Sequence, residues 1–166
     1  MNKTANGFIE QKLEQGHPEY FSLYRVLKTW AGDIWNAYTT VPEQIDHGPA
    51  HSAKMLEYAG ILLKPLRKKN SSYRLNGGEL FLLAAAIVLH DIGMQIGWRE
   101  FLDIDAGVAA LTPHQRQLIR HKHADTTAHV LENVQSALPN WLEKNLTGDQ
   151  QKTLRRDMCQ PLALVC

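Results

Sequence analysis

The chain has 166 residues but only two cysteines, Cys159 and Cys166, and no CxxC pair. That argues against a disulfide framework and against a thiolate metal site. An excess of one charge is also missing, since 18 basic residues face 17 acidic ones. This balance gives no electrostatic reason to expect nucleic acid or an anionic membrane as a partner. Nucleic acid is left only as a substrate bound at a local site. The longest apolar run, residues 80–89, is ten residues and too short to span a bilayer. The first residues lack the basic-then-apolar pattern of a secretory signal. A cytoplasmic protein with no membrane partner is therefore expected. The length suits one domain spanning residues 1–166.

Alternating strand patterns are absent too, and what is present is helical periodicity. Between Tyr20 and Tyr38, apolar residues recur at Leu23, Tyr24, Leu27, Ala31, Ile34 and Trp35. This is the i, i+3, i+4 rhythm of one buried stripe. Pro18 suits the first turn of that helix. A second helix is expected from Pro49 towards Leu63 or Leu66, with Met55, Ala59 and Leu62 on one face. The basic stretch "KPLRKKNSSYRLNGG" reads as a solvated loop. A third helix, Glu79 to Ile92, is apolar all round and should be central, with Gly93 as its C-cap. The segment 95–111 is irregular, with room for a short helix. Thr112, Pro113 and Gln115 form a capping box and open a helix that can reach Leu138. A last segment, Asp149 to Cys166, is expected to be helical with a break at Pro161. The expected fold class is all-α, a bundle around a buried central helix.

The stretch "AAAIVLHDIGM", Ala84 to Met94, sets His90 and Asp91 at the end of that central helix. A buried carboxylate is costly unless paired or metal-bound. The negative end of the helix dipole favours a cation at this position. His51, in the first turn of the second helix, shares a face with Met55, Tyr58, Ala59 and Leu62 and should point inward. On the helix after Thr112, steps of about 100° per residue place His123 among Ile119, Val130, Leu131, Val134 and Leu138. His121 and His129 fall on the polar side, and Thr127 is small enough to leave room beside His123. His47 precedes Gly48–Pro49 and reads as a turn residue, with a ligand role as the alternative. His17 reads as a loop residue and His114 as exposed.

Three inward histidines and one aspartate form a metal constellation of nitrogen and oxygen donors. Such a set suits Mn, Fe, Zn, Ni or Co, and Mg less well. A bound ion of this kind polarises a phosphoryl oxygen, and two ions about 3.5–4 Å apart clamp attacking and leaving oxygens.

The order of His51, then "LHDIGM", then "IRHKHADTTA" resembles the HD superfamily of metal-dependent phosphohydrolases over roughly residues 38 to 131. The resemblance implies an all-helical domain that hydrolyses a phosphate ester: a nucleotide, a cyclic nucleotide or nucleic acid. It implies His51, His90 and Asp91 as ligands of a first divalent ion. His123 would serve a second ion and Asp91 would bridge the two as the catalytic carboxylate. The wording "DHGPAHS…AAIVLHDIGM" is similar to HD domains attached to Hsp90-like ATPase modules. Residues 1–40 would be a helical extension packed on the domain.

Two departures from the family pattern stand out. Met94 occupies the place of a common lysine, so a substrate-binding cation must come from elsewhere, with Arg99, Arg120 and Lys122 as candidates. The family's later aspartate ligand has only weak matches in Asp149, which reads as a helix cap, and Asp157. The sequence therefore reads as an HD domain lacking its C-terminal ligand segment. The alternative function is a truncated or degenerate HD module that regulates or binds partners without turnover. Its apolar tail, "LALVC", would need cover from the core, a missing segment or a partner chain.

Overall fold

The computed structural model describes residues 7–37, 47–64, 74–133 and 147–153. Among these residues the fold is all-α. The helices are α1 (Phe8–Gly16), α2 (Pro18–Ala37), α3 (Pro49–Leu63), α4 (Gly77–Leu89), α5 (Trp98–Leu102), α6 (Pro113–Asn133) and α7 (Gly148–Thr153). Short 3-10 turns lie at Ile92–Met94 and Val108–Ala110.

Helix α4 is the centre. It starts at Gly77, two residues before Glu79, because Asn76 caps it. The Asn76 side chain accepts from the Glu79 amide at 3.0 Å, and the Glu79 carboxylate accepts from the Asn76 amide at 2.7 Å. Phe81, Ala84, Ala85 and Leu89 are completely buried. The alanines let α2 approach closely with Leu23, Tyr24, Leu27, Trp30, Ala31 and Ile34, all buried. Tyr20 stacks on Phe81 with ring centroids 5.6 Å apart. Residues 77–94 match a membrane-crossing segment by length and mean hydropathy, but 67% of that stretch is buried inside the fold. Its apolar surface is used for packing.

Helix α1 is pinned to α2 by a buried carboxylate. Glu10 accepts from the Tyr24 hydroxyl at 2.8 Å, from the Lys28 ammonium at 2.6 Å and from the Gly7 amide at 3.1 Å. Burial pushes the Glu10 carboxyl up, but the bonds from Lys28 and Tyr24 and the charge of Lys28 outweigh it and hold it below its ordinary value. Burial and the charge of Glu10 push the Tyr24 hydroxyl above its ordinary range.

Helix α3 is rotated from the expected face. Leu56 and Gly60 are its buried residues, whereas Tyr58 and Leu62 are 56% and 73% exposed. Met55 and Ala59 lie at the core's edge. The reason is α1, which crosses α3 at Gly60, with Phe8 against the glycine. Helix α6 begins at the expected capping box: Gln115 accepts from the Thr112 amide at 2.9 Å, and Thr112 Oγ1 accepts from the Gln115 amide at 3.2 Å. The short helix expected within 95–111 is α5. At α7 the cap is Thr147, whose Oγ1 accepts from the Gln150 amide at 3.3 Å. Asp149, expected to be the cap, is the second residue of the helix. Residues Leu138, Asp157 and the "LALVC" tail lie outside the described residues.

Candidate metal centre

Helix α4 ends at Leu89, with the His90 amide making its last i→i−4 bond to the Ala86 carbonyl at 2.9 Å, and the chain tightens into the 3-10 turn at Ile92–Met94. His90 and Asp91 occupy the joint. Gly93 lies within the 3-10 turn and does not take a left-handed cap conformation. What demands glycine there is close approach. A Cβ at Gly93 would collide with the His123 carbonyl and lie 2.5 Å from the Thr127 amide. Helix α6 therefore crosses directly over the His–Asp turn.

Asp91 is 4% exposed and is the focus of the site. Its Oδ2 lies 2.9 Å from His47 Nδ1 and 2.9 Å from His90 Nε2. Its Oδ1 lies 3.3 Å from His123 Nε2, without the alignment of a hydrogen bond, and is buried with no hydrogen-bond partner. His51 packs between His47 and His90, with ring centroids 5.4 Å and 5.5 Å away. Ligand-capable atoms of His47, His51 and Asp91 lie within 4.8 Å of one another and can hold a metal ion.

The ring nitrogens facing the carboxylate are prepared by their opposite sides. His90 Nδ1 is 2.9 Å from the Ile87 carbonyl, and His123 Nδ1 is 2.6 Å from the Arg120 carbonyl. A carbonyl only accepts, so each Nδ1 carries the proton and donates it. In the neutral rings both Nε2 atoms then present lone pairs towards Asp91. Such backbone anchoring of the far nitrogen is usual for metal-bound histidines. Burial works against charge on His90, but the hydrogen bond and charge of Asp91, with the Ile87 carbonyl, outweigh it and raise its pKa. Burial pushes the Asp91 carboxyl up, yet the bonds and charges of His90 and His47 outweigh it and hold it below its ordinary value.

The residues fit a divalent ion. An orphaned buried carboxylate oxygen faces a histidine nitrogen, which a cation would satisfy and a hydrophobic core would not. The donors are imidazole nitrogen and carboxylate oxygen, a set suited to transition ions.

His51, His90, Asp91 and His123 lie together in the fold, with His51 half-buried at the rim of the core instead of pointing into it. His47, first read as a turn residue, joins them. It lies just outside α3, whose first residue is Pro49, so no helical spacing ties it to His51. Gly48, at φ +152°, provides the bend between this histidine and α3. His121 is exposed as expected, but His129 packs its ring 5.2 Å from that of Phe101. Of the candidate substrate cations, Arg99 lies over the Trp98 ring at 5.3 Å and Lys122 pairs with Asp125 at 2.9 Å. Arg120 is exposed.

Comparison with known proteins agrees with this geometry. No curated protein and no solved structure matches the chain. The family model HD-CE matches residues 35–163, which include every histidine and aspartate of the cluster. The chain belongs to the HD-CE family, a group of HD-related domains.

Proposed function

We propose that this domain is a metal-dependent phosphohydrolase or phosphodiesterase acting on a phosphate ester: a nucleotide, a cyclic nucleotide or a nucleic acid. The observation that carries the reading is Asp91, a buried carboxylate with histidine nitrogens at both oxygens and one oxygen unpartnered. His47, His51, His90 and Asp91 Oδ2 would hold one ion, with Mn, Fe, Zn, Ni or Co as the suitable metals. His123 and Asp91 Oδ1 would serve a second. A bound divalent ion supplies a Lewis acid for a phosphoryl oxygen. The chain's own residues supply the rest. Ile87 and Arg120 fix the tautomers of His90 and His123 through their carbonyls. Asp91 brings the negative charge that retains the cation. Arg99, Arg120 and Lys122 are the proposed contacts for substrate charge.

A second reading is a helical HD module that binds an ion and serves a regulatory or interaction role without turnover. It is favoured by the carboxylate count, because Asp91 is the only carboxylate in the described cluster. One experiment separates the two. The purified chain is analysed for bound metal and assayed with added Mn against bis-p-nitrophenyl phosphate and a nucleotide panel, beside Asp91→Ala. Turnover lost in the variant supports the hydrolase. Stoichiometric metal without turnover supports the regulatory module. A chain that takes up no ion overturns both.

A further inference from the structure

Thr127 is buried at 0% exposure on α6, one helical turn after His123. Its hydroxyl donates to the His90 carbonyl at 2.8 Å and accepts from the Gly93 amide at 2.9 Å. These two backbone groups flank Asp91. The carbonyl belongs to the residue before it and the amide to the second residue after it. One is left over by the end of α4 and the other by the start of the 3-10 turn, where helix termini lack backbone partners. A single side chain from another helix closes both.

We propose that Thr127 is the positioning residue of the metal centre. Its hydroxyl sets the turn that carries Asp91 and ties that turn to the helix that carries His123. This rests on the reading of the His–Asp cluster as a metal site. Two independent features meet here. The hydroxyl bridge fixes the turn, and the absent Cβ of Gly93 lets the α6 backbone come close enough for the bridge to form. Rotation or sliding of α6 would carry His123 Nε2 away from Asp91 Oδ1, now 3.3 Å apart. It would also release the Asp91 backbone from the orientation that brings Oδ2 to His47 and His90. Both hydrogen bonds of the hydroxyl go to backbone groups, so it acts on both sides of the carboxylate through the turn.

The test compares three full-length proteins: wild type, Thr127→Val and Thr127→Ser. Valine keeps the shape and removes the hydroxyl, and serine keeps the hydroxyl. Co(II) is titrated into each, with affinity read by calorimetry and ligand geometry by the visible d–d spectrum. Folding is checked by circular dichroism. Thr127→Val should bind about 10-fold or more weakly, the scale of lost supporting bonds around metal ligands, with an altered spectrum. Thr127→Ser should restore the wild-type affinity and spectrum. Wild-type binding and spectrum in a folded Thr127→Val would overturn the proposal and leave the metal site standing. If Thr127→Val does not fold, Thr127→Ser decides. A serine variant with wild-type affinity and spectrum supports the hydroxyl's role, and a folded one with weakened binding overturns it. A wild-type chain that binds no Co(II) overturns the metal reading and this proposal together.

Discussion

His47 Nδ1 lies 2.9 Å from Asp91 Oδ2, across 44 residues of chain. The contact joins the segment entering α3 to the end of the central helix. If the cluster holds an ion, His47 contributes as much as His51. His47→Ala should therefore weaken Mn or Co binding at least about 10-fold, the lower bound set by supporting residues. His121→Ala, on the exposed side of α6, should leave binding unchanged. Isothermal titration of both variants checks this, and equal affinities would remove His47 from the site.

Metal uptake should release a proton at His90. With Nδ1 given to Ile87, the contact between His90 Nε2 and Asp91 is favourable without an ion only when the ring is charged. Its pKa is raised above the ordinary 6.5. The stability this pair gives the ion-free protein is fully present below the unfolded value and is lost as pH rises through the raised folded value. Metal affinity should run the other way and increase with pH across the same window, because ligands must be deprotonated. Thermal melts with and without ion at several pH values should give opposite slopes. Parallel slopes would mean that the ion does not displace the His90 proton.

The parts of this site that the sequence revealed share one property: local periodicity decided them. The apolar run around Ala84–Leu89 announced a buried helix, and the Thr112–Gln115 box announced the start of α6. Stepping along that helix turned His123 inward. What escaped depended on contacts between elements. The rotation of α3 is set by Phe8 against Gly60, which no pattern within α3 encodes. His47 was hidden because Gly48–Pro49 reads as a break, although the chain bends there to return the ring to Asp91. Thr127 looked like a spacer, since its two partners lie 34 and 37 residues away. Of the two weak matches to the later aspartate ligand, Asp149 is exposed in α7 and Asp157 lies outside the described residues.

Gly93 should tolerate no side chain. The two nearest atoms a Cβ would strike, the His123 carbonyl and the Thr127 amide, are backbone, and the Thr127 hydroxyl lies 2.8 Å away. Flexible side chains can move aside, but a helix backbone must move as a whole. Gly93→Ala should cost about 3 kcal/mol, at the upper end of overpacking effects, and should reduce metal binding as α6 is pushed off. Gly16→Ala is the control, since nothing lies near a Cβ there. Urea unfolding of both variants gives the comparison. A Gly93→Ala protein of wild-type stability would mean that α6 does not cross the turn this closely.

Glu10 should make the fold acid-sensitive at a point remote from the metal centre. Its carboxylate gathers Tyr24, Lys28 and the Gly7 amide, and its pKa lies below the ordinary 4.5. A depressed carboxyl contributes stability that is fully present above its unfolded value and is lost as pH falls through the folded one. Lys28 is 47% exposed, so solvent screens that pair and most of the effect should come from the buried Tyr24 hydroxyl. Glu10→Gln keeps the size and an acceptor oxygen but removes the charge. It should lower stability by about 1–2 kcal/mol near neutral pH, the scale of lost hydrogen bonds to a charged group. The gap between wild type and variant should close on acidification, because protonated Glu10 and glutamine are then similar. Urea melts at about pH 7 and about pH 3, on either side of a carboxyl's ordinary value, make the comparison. A gap that persists unchanged at the lower pH would show that Glu10 acts through shape and not through its charge.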